Sequence, residues 1–90
     1  MRITINRVDG IVIIDGLALR IDLSPIDADI SVVQWNGAKG NGWIEHVYDP
    51  FEPQNFKANV PIDSIADFQF AIDAYRAEEE RLAQEKESLK

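Results

Sequence analysis

Trp35 and Trp43 bracket a glycine-rich run, Asn36-Gly37-Ala38-Lys39-Gly40-Asn41-Gly42, and they are the side chains of this sequence best suited to meet a ligand. An indole offers a flat face on which a sugar ring or a peptide can stack, and one N–H for a directed hydrogen bond. The same two rings could instead close the end of a core, or pair across the strands of a hairpin. Carboxylates are the other abundant group: Asp9, Asp15, Asp22, Asp27, Asp29 and Asp49. A glycosidase needs two of them across a sugar cleft, one held protonated. Asp9 and Asp15 each precede a glycine and read as turn residues, however, and Asp27-x-Asp29 reads as a surface link. His46 lies in a strand-like run, should share a face with Ile44 and Tyr48, and fits a structural role better than general-base work. There is no glycine-rich phosphate loop, no His-Glu-x-x-His and no nucleophile elbow. Oxygen donors at Asp27, Asp29 and the 36–42 loop lack the spacing of an EF-hand. The sequence therefore predicts a non-enzymatic protein with no catalytic residue, no cofactor and no metal site.

Composition narrows the partners. A chain of 90 residues forms one small domain, and a domain of that size buries only about 60% of the surface its unfolded chain exposes. Small domains make up the deficit with disulfides, a metal or association. Cysteine is absent and His46 is the single histidine, which excludes disulfides, thiolate sites and a nitrogen-rich zinc or copper site within one chain. Association is the remedy left. Sixteen acidic against nine basic residues give a net charge of −7, which opposes a phosphate backbone and an anionic membrane surface. Neither nucleic acid nor membrane is an expected partner. No run of about 18 apolar residues could span a bilayer. The opening Met1-Arg2-Ile3-Thr4-Ile5-Asn6 alternates polar and apolar residues and does not read as a signal peptide, so cytosolic synthesis is expected.

The elements that would position these side chains are strands first. Ile3 and Ile5 alternate with Thr4 and Asn6, the period of a half-buried strand. Asp9-Gly10 and Asp15-Gly16 each stand between apolar runs, the signal for a type I′ hairpin whose two central residues need φ > 0. Ile11–Ile14 and Leu17–Leu23 are the strands they join, the third ending at Ser24-Pro25. Residues 30–48 read as a second hairpin around the glycine-rich turn. A short edge strand is expected at Phe56–Val60, before Pro61. The unbroken Ile11–Ile14 run implies cover on both faces, and one helix can supply only one.

That helix begins near Ser64, with Asp63 or Ser64 as N-cap and Asp67 adding negative charge to its first turn. Ile65, Phe68, Ile72 and Tyr75 fall on one face, while Phe70 lies roughly 160° from the centre of that stripe at about 100° per residue. From Arg76 onward the chain has strong helix formers and almost no stripe. A helix from Ser64 to Lys90 would be roughly 40 Å long. A globule of the preceding 63 residues is about 27 Å across. The last turns must then project, fray or pack on another chain.

At Val33-Gln34-Trp35-Asn36-Gly37, followed by Gly42-Trp43-Ile44-Glu45, the chain resembles a family of small proteins from tailed bacteriophages and prophages. Ile14-Asp15-Gly16, Asp22-Leu23-Ser24 and Asp73-Ala74-Tyr75 continue the likeness over roughly residues 3–76. It departs from the family in the longer, two-proline loop Asp49–Val60 and in its charged tail. The resemblance implies a tail or tail-fibre-region product, structural or assembly-related and without catalysis. Its partners would be other tail or tail-fibre proteins, and its place the host cytoplasm during assembly or the virion.

Together these observations predict an α+β fold, an antiparallel sheet of four to six strands packed on one long C-terminal helix. Residues 1–63 would form the sheet and 64–90 the helix, whose stripe buries against Leu17, Leu19, Ile21 and Leu23 or the opposite strand face. Phe70, Leu82 and Leu89 are the candidates for contact with another chain, a second copy included. Two other functions stay open. A carbohydrate-binding module would use Trp35, Trp43 and Tyr48, and a small acidic regulatory or inhibitory protein would bind a basic host target.

Overall fold

Three tight turns fold the first half of the chain on itself, and each shows its chemistry in the backbone. Asp15 (φ 49°) and Gly16 (φ 89°) both have positive φ, and Ile14 pairs directly with Leu17, as a two-residue type I′ hairpin requires. Asp9-Gly10 differs from the expectation. Only Gly10 is left-handed, at φ 67°, and the closing pair is Asn6 with Ile11, so the loop has four residues. The Asn6 side chain accepts the Asp9 N–H at 3.0 Å and holds that longer loop shut. The glycine-rich turn repeats the device: Asn36 pairs with Asn41, Asn36 Oδ1 accepts the Ala38 and Lys39 N–H groups, and Gly40 is left-handed at φ 65°. An asparagine four residues before a glycine marks both loops.

The computed structural model describes residues 1–52, 54 and 56–88. The strands are β1 (Arg2–Asn6), β2 (Ile11–Ile14), β3 (Leu17–Arg20), β4 (Ile30–Asn36), β5 (Asn41–His46) and β6 (Val60–Ile62). They form one antiparallel sheet in the order β3-β2-β1-β4-β5-β6. Two three-stranded meanders thus meet along β1 and β4. The edge strand β6 runs through Pro61 rather than stopping before it, and an edge is where a strand tolerates a missing N–H. The strand at Leu17 also ends sooner than its alternation suggests, at Arg20. Ile21 donates to Gly10 O at 2.9 Å, and the Asp22 carboxylate then accepts the Ser24 N–H at 3.0 Å, turning the chain. That hydrogen bond, with a second from the Ser24 side chain, holds the Asp22 carboxyl below its ordinary range.

Register decides what the sheet buries. Ile3, Ile5, Val12, Ile14, Val33 and Trp35 pair with one another across β2, β1 and β4, so they share a face, and all are buried. Ile21, Leu23 and Ile26, from the link between β3 and β4, join the same core. A register shift between Ile30 and Val32 marks a bulge at Ser31, whose hydroxyl donates to Glu45 O at 3.1 Å. The extra residue returns Ile30 to the core side, where it packs against the buried cluster.

A single 3₁₀ turn, Ala66–Phe68, leads into α1 (Gln69–Ser88), and Ser64 Oγ accepts the Ala66 N–H at 3.1 Å. Phe68, Ala71, Ile72 and Tyr75 are buried against the sheet, and Ile65 is half-buried beside them. Tyr75 is 1% exposed, and its hydroxyl donates to Leu17 O at 2.8 Å, pinning the helix to the turn between β2 and β3. Arg76 reaches Met1 Sδ at 3.6 Å at the edge of the body. From Arg76 to Glu87 no residue is buried. The radius of gyration is 15.0 Å, against about 12 Å for a compact chain of this length, and the longest dimension is 55 Å. The second half of α1 projects.

Candidate functional site

With the helix on one face of the sheet, the alternate residues of each strand form an open face. Across the middle of it run Ala18, Ile13, Thr4, Gln34, Trp43 and Pro61, each paired with the next. Ile11 and Ile13 are half-buried there by their neighbours. The unbroken Ile11–Ile14 run thus has its second pair on the open face, with Val12 and Ile14 under the helix.

The two tryptophans part company across the sheet. Trp35 pairs with Gly42 and Trp43 with Gln34, so the rings lie on opposite faces and cannot form a cross-strand pair. Trp35 is 8% exposed and belongs to the core, while Trp43 is 42% exposed on the open face. The reading that one of the rings closes the core holds for Trp35, and a platform made of both rings is excluded for a geometric reason. Side chains alternate with a period of two, and the four-residue loop sets a pairing in which the positions differ by one. At Gly42 the neighbouring strand leaves no room for a side chain, because a Cβ there would lie 2.0 Å from Gln34 O.

Beside Trp43, where β4 and β5 turn, the open face is concave. The cavity measures about 230 Å³ and is lined by Arg2, Gln34, Asn36, Lys39, Asn41 and Trp43, with Trp35 bordering it. Its hydrogen bonds leave a one-sided surface. The Thr4 hydroxyl donates to Gln34 Oε1 at 2.7 Å, and Asn36 Oδ1 is taken by the two backbone N–H groups of its own loop. Both amides therefore retain their NH₂ donors. Trp43 Nε1 donates to Glu45 Oε2 at 2.9 Å, which fixes the indole in place. The Arg2 and Lys39 side chains make no ion pair among the described residues. Of the lining residues only the tryptophans were legible as ligand candidates. The others become visible once the register sets Gln34 opposite Trp43 and Arg2 opposite Asn36.

A second, more open hollow of about 490 Å³ lies at the far end of the sheet, among Asp29, Val47, Asp49, Phe56 and Lys57. Its charges are mostly spent internally. Lys57 pairs with Asp29, whose carboxyl it holds below the usual range chiefly by that hydrogen bond, and Asp49 accepts the Phe51 N–H at 2.9 Å. Tyr48 meets Phe56 edge-on, with ring centroids 5.7 Å apart. His46 sits at this end opposite Ile30, half-buried, and its Nδ1 is enclosed without a hydrogen-bond partner among the described residues. No group of three His, Cys, Asp or Glu among the described residues is placed to hold a metal ion, and no described helix is long and apolar enough to cross a membrane.

The three side chains expected to meet another chain fare differently. Phe70 is not left in water: it is half-buried against the core, as is Ala74 four residues on. The first turns of α1 are covered over a wider arc than one stripe, so Phe70 is partly used within its own chain. Leu82 is 39% exposed on the projecting half. Leu89 lies outside the described residues. Around Leu82 the charges are paired along the helix itself, Arg76 with Glu79 at 3.1 Å and Arg81 with Glu78 and Glu85 at 2.6 and 2.8 Å. The Arg81 contact also holds the Glu78 carboxyl below its ordinary range.

Comparison with known proteins finds no matching family model, no matching curated protein and no matching solved structure.

Proposed function

We propose that this chain is a non-enzymatic protein of the bacteriophage tail-associated kind, structural or assembly-related, that acts through protein–protein contacts as an oligomer. The observation that carries the reading is the helix that outruns its own body. Its first half buries one side against the sheet, the rest leaves the sheet at Arg76, and Leu82 stands on that projecting part as an exposed apolar side chain. A projecting helix in a 90-residue chain exposes backbone and side chains that a partner helix or a second copy could cover. The Glu78–Arg81–Glu85 ladder adds to the helical stability of that segment by about 0.2–0.5 kcal/mol per pair. The tail association itself rests on the resemblance carried by Val33-Gln34-Trp35-Asn36-Gly37 and Gly42-Trp43-Ile44-Glu45. Partners would be other tail or tail-fibre proteins, met in the host cytoplasm during assembly.

Sedimentation equilibrium on the full chain, and on a chain ending after Arg76, tests the helical contact. The full chain is expected to associate and the shortened one to be monomeric. Two monomers would remove the oligomer, and equal association would move the interface from the helix to the sheet. Mass spectrometry of purified phage particles and of the residual lysate tests the tail assignment. Recovery in neither the particles nor a complex with tail proteins would end it.

A further inference from the structure

The concave site beside Trp43 is not used by the helical contact, and its chemistry is specific. Three features coincide there: a fixed, 42% exposed indole, two cationic side chains without an ion-pair partner among the described residues, and amide donors whose oxygens are already engaged. The lining residues include two cations and no carboxylate, the Glu45 carboxylate beside them is engaged by the indole N–H, and the Gln34 and Asn36 amide oxygens are already taken. Such a surface selects a ligand rich in acceptors and negatively charged, with one flat apolar face for the indole.

We propose that this cavity binds an acidic saccharide unit, a pyranose ring carrying a carboxylate or a sulfate. The C–H face of the ring stacks on Trp43. The anionic group lies between Arg2 and Lys39, and the Gln34 and Asn36 NH₂ groups donate to ring hydroxyls or to the anion. At about 230 Å³ the cavity falls below the roughly 300–1,000 Å³ of sites for drug-sized ligands, which suits one ring. Charge limits the ligand further. The chain carries −7 overall, so a densely charged polymer is repelled at long range, whereas a single anionic group meets the local cations within about one Debye length of 8 Å. A glycan with an isolated acidic residue fits both conditions, and a nucleic acid fits neither. This inference is independent of the helical contact and survives its failure.

The test is NMR titration of the full chain, following the Trp43 indole N–H and the Gln34, Asn36 and Asn41 side-chain amides. The probes are methyl glucuronide, glucose 6-sulfate, methyl glucoside, acetate and adenosine monophosphate. The two acidic sugars should shift these signals saturably, with Kd on the order of 1 mM and at least about tenfold below that of methyl glucoside. Whichever acidic sugar binds tighter identifies the anion. In the Arg2→Gln/Lys39→Gln variant that tenfold preference should vanish, and Trp43→Ala should abolish binding of all the sugars. Because these side chains are on the surface, both variants should keep the wild-type amide spectrum elsewhere. Equal binding of neutral and acidic sugars would overturn the proposal. So would full reproduction of the shifts by acetate, tighter binding of adenosine monophosphate, or silence from both acidic sugars at about 50 times the Kd expected for such weak sites.

Discussion

Replacing Tyr75 with phenylalanine isolates the bond that ties the helix to the sheet. The Tyr75 ring is 1% exposed and its hydroxyl donates to Leu17 O at 2.8 Å. Phenylalanine keeps the ring and its packing and removes only that bond. A hydrogen bond of this kind contributes about 0.5–1.5 kcal/mol net, so its removal should cost about 1 kcal/mol. About 1 kcal/mol corresponds to a fall in Tm of about 4–8 °C for a domain of this size. Tyr75→Ala would cost about 3–5 kcal/mol, a large part of the roughly 5–13 kcal/mol that a chain of this length can be expected to possess, so phenylalanine is the informative change.

Alkaline pH adds a second signature at the same residue. Burial pushes the Tyr75 hydroxyl above its ordinary value of 10.0, with Glu79 acting in the same direction. A group whose folded pKa lies above its unfolded one contributes stability that is complete below the unfolded value and is lost as pH rises through the folded value. Wild type should therefore outlast Tyr75→Phe at pH 7, and the gap should close above pH 10.0. Urea unfolding followed by circular dichroism at neutral and alkaline pH measures both. Equal midpoints at pH 7 and throughout the alkaline range would refute the docked position of the helix.

Gly42→Ala should be costly despite its small size, because the new Cβ would lie 2.0 Å from Gln34 O and both are backbone-fixed. The strands must part, at a cost of about 2–3 kcal/mol, and a thermal midpoint within a degree of wild type would show that β4 and β5 are not so close. At the far end of the sheet, Lys57 holds the Asp29 carboxyl below its ordinary 3.8, so the stability linked to it is present above the unfolded pKa and fades as pH falls through the folded one. Lys57→Ala should raise the Asp29 titration midpoint, read by carboxyl carbon NMR, and an unmoved midpoint would deny the pair.

Much of the fold was legible in short stretches. Asp15-Gly16 specified its type I′ turn because the requirement for two positive φ values is local. Phe68, Ile72 and Tyr75 announced the buried face of the helix by spacing alone. The projection of residues beyond Arg76 followed from comparing a helix length with a body diameter. At Asp9-Gly10 the local signal misled. There the Asn6 side chain, three residues before Asp9, closes a four-residue loop instead, and the same asparagine reappears at Asn36.

What the tertiary structure alone decided is which residues face each other. The sequence shows that Trp35 and Trp43 flank a turn. It does not show that the pairing of Trp35 with Gly42 sends one ring into the core and leaves the other on the open face. Arg2 and Asn36 are 34 positions apart and become neighbours only because β1 inserts between β2 and β4. Phe70 is half-buried because the wider core reaches around the first turns of the helix. Propensity and turn chemistry act over a few residues, and they name the strands and the helix. Register and strand order are set by contacts between distant segments, and those contacts assemble the candidate site.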